Sequence, residues 1–243
     1  MSKKLTQSIL RSQGITQTNA DIYIVGQDGI NGKSGDNGGN GVNGPDGSNS
    51  VCHWHKSSHS ATNGSPGGNG GDATIGGNGT KGKDALPARI KINELVGTVY
   101  IVARGGIGGD GGKGGNGGTG GPGGKGGNSC DDGDAHKDAA DGGNGGDGGK
   151  AGDGGNGGDA GNGTTFTIIY GSRVNPNDII CYTEPATGGD HGAPGSGGIG
   201  GTPGAAGSGP GGHPGIPGST KGSGNFGQPG NPGTPSTPNL IPG

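Results

Sequence analysis

Aromatic side chains are only 3% of this sequence, and hydrophobic residues of all kinds only 23%. A chain of 243 residues with so little apolar material cannot build an ordinary side-chain core. No apolar run is long enough to span a bilayer, which excludes membrane insertion by a helix. The N-terminus lacks a signal-peptide h-region, so the expectation is cytoplasmic synthesis, with residence in a cytoplasm or on a virion. Three cysteines are an odd number and argue against a complete disulfide framework. A net charge of −3 from mixed signs offers no electrostatic footprint for nucleic acid or an anionic membrane.

Glycine is what the chain has instead: 72 residues, with 16 prolines. Between Gly105 and Asn128 it fills two of every three positions, and the third carries Ile107, Asp110, Lys113, Asn116, Thr119, Pro122, Lys125 and Asn128. A period of three fits neither a helix nor a strand. It fits a threefold polyproline II helix, which has a rise of about 3.1 Å per residue and no internal hydrogen bonds. Two glycine faces then allow neighbours to approach at backbone distance, while the third face shows a side chain.

Similar triplets run on either side. They alternate with short β-like runs at Asp21–Val25, Arg89–Asn93, Val99–Val102, Thr165–Ile169 and Ile179–Tyr182. Strand-to-triplet junctions recur about every 80 residues, an internal repeat of strand, outward leg, tip, return leg and strand. The expected fold is a glycine-rich bundle of about six antiparallel polyproline II (polyglycine II) helices joined to a small antiparallel β module. Each leg would have roughly 20 residues and a length of about 60 Å. Lys3–Ser12 reads as a short N-terminal α-helix, with Leu5, Ile9 and Leu10 on one side. The expected division is an attachment segment over 1–20, one bundle domain over 21–235 with β-hairpins at 88–104 and 164–185, and a tail over 236–243. A collagen trimer is the competing architecture, but GGX triplets place glycine where collagen needs imino acids, and the phase changes interrupt a continuous rod.

The GGNGGD and GGXGG units resemble the glycine-rich N-terminal domain of the Obg GTPase family. They also resemble the bundles of springtail antifreeze proteins and of T-even-type phage tail-tip adhesins. The likeness spans roughly residues 21 to 235 and is architectural, so it does not carry function with it. The GTPase reading fails on its own motif: no GxxxxGK[ST] loop stands between a strand and a helix.

Non-repetitive segments mark two tips, 48–63 and 129–141. The first holds Cys52, His53, Trp54, His55, Lys56 and His59. Trp54 is the only tryptophan, and an exposed tryptophan is a common binding hot spot. The second holds Cys130, Asp131, Asp132, Asp134 and His136. The candidate recognition residues are Trp54, His53, His55, Lys56, Asp131, Asp132, Asp134 and His136. Cys52, His53, His55 and His59 include a spacing that zinc could use, but there is no second cysteine pair, and solvent-exposed loop histidines are the plainer account. The GGNGGD units at 67–72, 142–147 and 154–159 match the start of a calcium-binding nonapeptide, although their period is three. Plain triplets account for them without a metal, and no cofactor is expected. Alternation of the legs puts both tips at one end, where Cys52 and Cys130 would approach each other in an oxidising setting.

No catalytic constellation emerges, so enzymatic activity is not expected. The leading expectation is a binding and presentation scaffold whose tips recognise a protein or glycan, as in a phage-type receptor-binding adhesin. The alternatives are an intracellular assembly module attached through its β base and N-terminal helix, and an ice-binding protein. Against the last stand the charged outward positions Asp110, Lys113, Lys125, Asp147, Lys150 and Asp153.

Overall fold

The computed structural model describes residues 20–53 and 56–243. The proposed helix over Lys3–Ser12 lies outside the described residues. Apolar residues are concentrated in short runs, and these runs form the strands. They are β1 (Ile22–Val25), β2 (Arg89–Ile92), β3 (Val99–Arg104), β6 (Thr165–Tyr170), β7 (Ile179–Tyr182) and β8 (Thr237–Pro242). Two further strands, β4 (Cys130–Asp131) and β5 (His136–Lys137), make a small antiparallel ribbon.

The six longer strands form two three-stranded sheets, ordered β1-β3-β7 and β2-β6-β8, and every pair in them is parallel. Alternating residues of both sheets meet in one core. Ile24, Ile101, Ala103 and Ile179 come from the first sheet, and Phe166 and Ile168 from the second. Phe166, Ile101 and Ile168 are completely buried. At about 1.5–3 kcal/mol for each large apolar side chain removed from water, this cluster is the main side-chain contribution to the fold.

The expected architecture therefore needs correcting. The β module is parallel, the runs at 88–104 and 164–185 are not hairpins, and no α-helix occurs among the described residues. Neither is a polyproline II bundle among the regular elements of the fold; the glycine segments belong to no helix or sheet. Residues set aside as a tail form β8 and pair with β6 along its whole length. The physical reason lies in the glycine segments. They run between the strands as six extended legs: leg 1 (26–50), leg 2 (61–87), leg 3 (105–129), leg 4 (139–164), leg 5 (185–208) and leg 6 (212–236). Each strand is the continuation of a leg and inherits that leg's neighbours. Consecutive strands such as β2 and β3 continue legs of different layers and so enter different sheets.

The layers are defined by hydrogen bonds between legs. Leg 1 donates the N–H of every third residue, from Gly26 to Gly47, to carbonyls of leg 3 from Arg104 to Lys125, at 2.7–3.0 Å. Leg 3 donates in the same way to leg 5, leg 2 to leg 4, and leg 4 to leg 6, all between legs running in the same direction. Legs 1, 3 and 5 thus form one layer and legs 2, 4 and 6 the other. Antiparallel bonds such as Gly68 N–H to Val42 O (2.7 Å) and Gly112 N–H to Gly77 O (2.8 Å) tie the layers together.

This pattern explains why two glycines per triplet occur where they do. Leg 3 has hydrogen-bonded neighbours in legs 1, 2, 4 and 5, and leg 4 in legs 2, 3, 5 and 6. A Cβ on Gly111 would run into the carbonyl of Gly155, and one on Gly112 into that of Lys33. At the margin the constraint lapses: a Cβ on Gly39 of leg 1 would meet nothing within 4 Å.

Candidate functional site

Three turns close the legs at the end opposite the two sheets. Val51 and His59 exchange a pair of backbone hydrogen bonds, each 2.9 Å, which closes the first turn. Ser50 below it is buried, and its hydroxyl donates to the Asn128 carbonyl at 2.7 Å. In the second turn β4 and β5 bracket the acidic loop. Gly133 takes a positive φ of 72°, where a side chain would be strained, and donates to Asp131 Oδ1 at 3.0 Å. The third turn is the tightest and leans on the second: Gly209 and Gly211 have φ of 107° and 95°. A Cβ on Gly211 would lie 2.6 Å from that of Asp138.

A disulfide between Cys52 and Cys130 joins the first turn to the second, with Cα atoms 5.8 Å apart and 78 residues between them. The sequence reading brought these two sulfurs to one end, and the structure bonds them. Cys52 therefore has no thiolate to offer a metal, and among the described residues no group of three or more His, Cys, Asp or Glu side chains is arranged to hold one. The third cysteine, Cys181, is half-buried in β7, and burial pushes its thiol up to about 11.

Of the candidate recognition residues, Trp54 and His55 lie outside the described residues. Lys56, Asp131, Asp132, Asp134 and His136 are all exposed. His53 donates its N–H to Ser58 Oγ at 3.3 Å. His136 sits between two carboxylates, its Nε2 3.0 Å from Asp138 Oδ1 and its Nδ1 3.8 Å from Asp131 Oδ2. The structure thus gathers His53, Lys56, Asp131, Asp132, Asp134 and His136 on one cross-linked end. This end presents exposed side chains of both charge signs.

The sequence reading missed the work of the outward Asn and Asp residues. Asn37 Oδ1 accepts the N–H of Asn116 at 2.8 Å, and Asn116 Oδ1 accepts that of Ser196 at 2.9 Å. In the other layer Asn69 and Asp72, part of a GGNGGD unit, accept from Asp147 and Lys150 at 2.8 and 2.7 Å. Such side chains satisfy outward N–H groups that no backbone carbonyl reaches. At the level of Asn43 the neighbour is Pro122, which has no N–H to satisfy. The offsets of 78 to 80 residues in these bonds equal the spacing of the internal repeat, and that was the signal available in the sequence. Three aspartates of leg 4 are held below their ordinary value of 3.8 by this bonding. The backbone N–H of His213 is the main cause for Asp141, that of Ser219 for Asp147 and that of Asn231 for Asp159.

At the opposite end, the outer face of the first sheet carries Tyr23, Val25, Tyr100 and Tyr182. Tyr23 and Val25 are 47% and 44% exposed, and the rings of Tyr100 and Tyr182 stack with centroids 6.4 Å apart. No helix among the described residues is long and apolar enough to cross a membrane.

No family model matches the chain, and no curated protein does. Among solved structures it is weakly similar to a springtail antifreeze protein from Granisotoma rainieri, described as a nine polyproline type II helical bundle whose crystal waters match the ice lattice. The two are 23% identical, with 70% of this chain and 94% of that chain covered, at a TM-score of 0.09. A superposition that poor carries no argument about this chain.

Proposed function

We propose that this protein is a non-enzymatic presentation scaffold whose turn-bearing end recognises a protein or a glycan, in the manner of a phage-type receptor-binding adhesin. The observation that carries the reading is the disulfide between Cys52 and Cys130, which ties two non-repetitive turns together at the end of the legs. Ordering flexible loops before binding reduces the entropy lost on association, so cross-linked turns on stiff legs suit recognition. Their exposed side chains mix cationic and anionic groups, which fits a polar partner rather than a lipid or nucleic acid. A persistent disulfide belongs to an oxidising setting, which favours a virion-associated or otherwise external location over a cytoplasmic one.

The test is retention of labelled protein on a glycan array and on panels of intact bacterial cells. Retention that is lost in Trp54→Ala or in a Lys56→Ala, His136→Ala double variant, with melting unchanged, supports the reading. Equal retention by wild type and these variants sinks it. A second reading, attachment to a larger assembly through the base, is favoured by the aromatic face of the first sheet. Retention that survives the turn variants but fails in Tyr23→Ser would move the site there.

A further inference from the structure

The two layers have chemically different margins. In leg 3 every third carbonyl from Ile107 to Lys125 receives an N–H from leg 1, and in leg 5 the corresponding carbonyls receive one from leg 3. The equivalent carbonyls of leg 1, from Asp28 to Asn49, accept no hydrogen bond among the described residues. The same holds for leg 2 from Asn63 to Asp84. This margin is a regular row of acceptors. Several of its outward N–H groups are already satisfied: Ile30, Asp36 and Ser48 donate to the hydroxyls of Thr80, Thr74 and Thr62 at 2.6–2.7 Å. Pro45, at the same phase, has no N–H.

The opposite margin, on legs 5 and 6, should be the matching row of donors. In leg 6 the positions equivalent to the donating glycines of leg 4 are 214, 217, 220, 223, 226, 229, 232 and 235. Proline occupies five of them, Pro214, Pro217, Pro229, Pro232 and Pro235. Leg 5 carries Pro194 and Pro203 at its own outward donor positions. Proline cannot donate, and natural sheets use it to blunt an open edge.

We infer that the margin formed by legs 1 and 2 is a docking edge for a glycine-triplet segment of another chain, and that the prolines of legs 5 and 6 stop copies of this protein from filling it. A docked segment continues an interface the molecule already contains, that of leg 1 on leg 3, by one more leg. Its chemistry is thereby specified. It needs an N–H donor every third residue and no side chain at those positions, since in the existing interface a Cβ on Gly29 or Gly32 would lie only 2.6 or 2.8 Å from the backbone nitrogen of Gly109 or Gly112 in leg 3. Blocking only the donor margin prevents self-assembly, which needs both margins, and leaves the acceptor margin open to a different chain.

The test uses the full chain with Pro214, Pro217, Pro229, Pro232 and Pro235 all replaced by glycine, followed by light scattering across a concentration series. The wild type is expected to keep the mass of its 22.8 kDa monomer at every concentration. The variant is expected to rise to dimers and larger species as concentration increases. A variant that melts cooperatively and stays monomeric overturns the inference, as does a wild type that self-associates. Should the variant fail to fold, the wild type is titrated with a labelled synthetic peptide of residues 26–47. Saturable binding that is abolished when the peptide's Gly29, Gly32, Gly35 and Gly38 become alanine supports the docking edge, and the same binding by both peptides, or by neither, overturns it.

Discussion

Alanine at two glycines separates positions that the triplet pattern alone treats alike. In Gly112→Ala, in leg 3, the new Cβ would come within 2.5 Å of the Lys33 carbonyl carbon, where ordinary contact begins near 3.4 Å. Leg 1 must retreat by about 1 Å to restore contact distance. Overpacking of this kind costs about 1–3 kcal/mol. The retreat also stretches the bonds from Gly32 to Asp110 and from Gly77 to Lys33, both 2.7 Å, at about 0.5–1.5 kcal/mol each. The expected loss is about 2–6 kcal/mol, a fall in melting temperature of roughly 10 °C for a chain of this size. Gly39→Ala meets nothing within 4 Å. Its φ is not positive, so restricting the unfolded chain should stabilise by about 0.4–1 kcal/mol. Differential scanning calorimetry of the two variants at one concentration decides the matter. Equal melting temperatures, or Gly39→Ala as damaging as Gly112→Ala, would refute the assignment of leg 3 to the interior and leg 1 to the margin.

Asn116→Ala, which removes the acceptor for the Ser196 N–H, should lose about 1 kcal/mol in denaturant melts, whereas Asn116→Asp should lose little. Acid should destabilise the protein through leg 4. The folded pKa values of Asp141, Asp147 and Asp159 lie below 3.8, so their contribution is fully present above that value and disappears as pH falls through the lowered ones. Asp147→Asn keeps an Oδ1 acceptor but cannot ionise, and its melting temperature should fall less between pH 5 and pH 2 than that of the wild type. Replacing Cys52 and Cys130 together by serine reopens a loop closed across 78 residues and should cost about 2–4 kcal/mol, measured by calorimetry with and without reductant.

Much of this arrangement was legible in the triplets, and the failures have identifiable causes. The run from Gly105 to Asn128 announces a leg with close neighbours on two sides, and leg 3 has them. The repeat of about 80 residues gave the offset at which legs of one direction pair, as in Asn37 to Asn116. Cys52 and Cys130 were correctly brought to one end. Strand pairing was misread because adjacency suggested a hairpin for Arg89–Ile92 and Val99–Arg104. The interactions that decide it are long-range, Val99 with Ile179 and Arg89 with Thr167, and no local turn signal reports them. Residues 236–243 read as a tail, yet Thr237–Pro242 pairs with β6 at the edge of its sheet, where its two prolines are tolerated. The Asn and Asp side chains looked like calcium ligands or solvent decoration because their acceptor role exists only once a neighbouring leg supplies the N–H.

The parallel strands make height and width independent quantities in this molecule. One repeat contributes an ascending leg and a descending leg, and with them one strand to each sheet. Adding a repeat would broaden both layers without changing the distance from base to turns. Adding one triplet to every leg would raise the turns by at most about 10 Å, the reach of three extended residues, and leave the base as it is. Duplication of a segment of about 80 residues could therefore enlarge the scaffold laterally, and triplet slippage could tune its reach, with neither change requiring a new core.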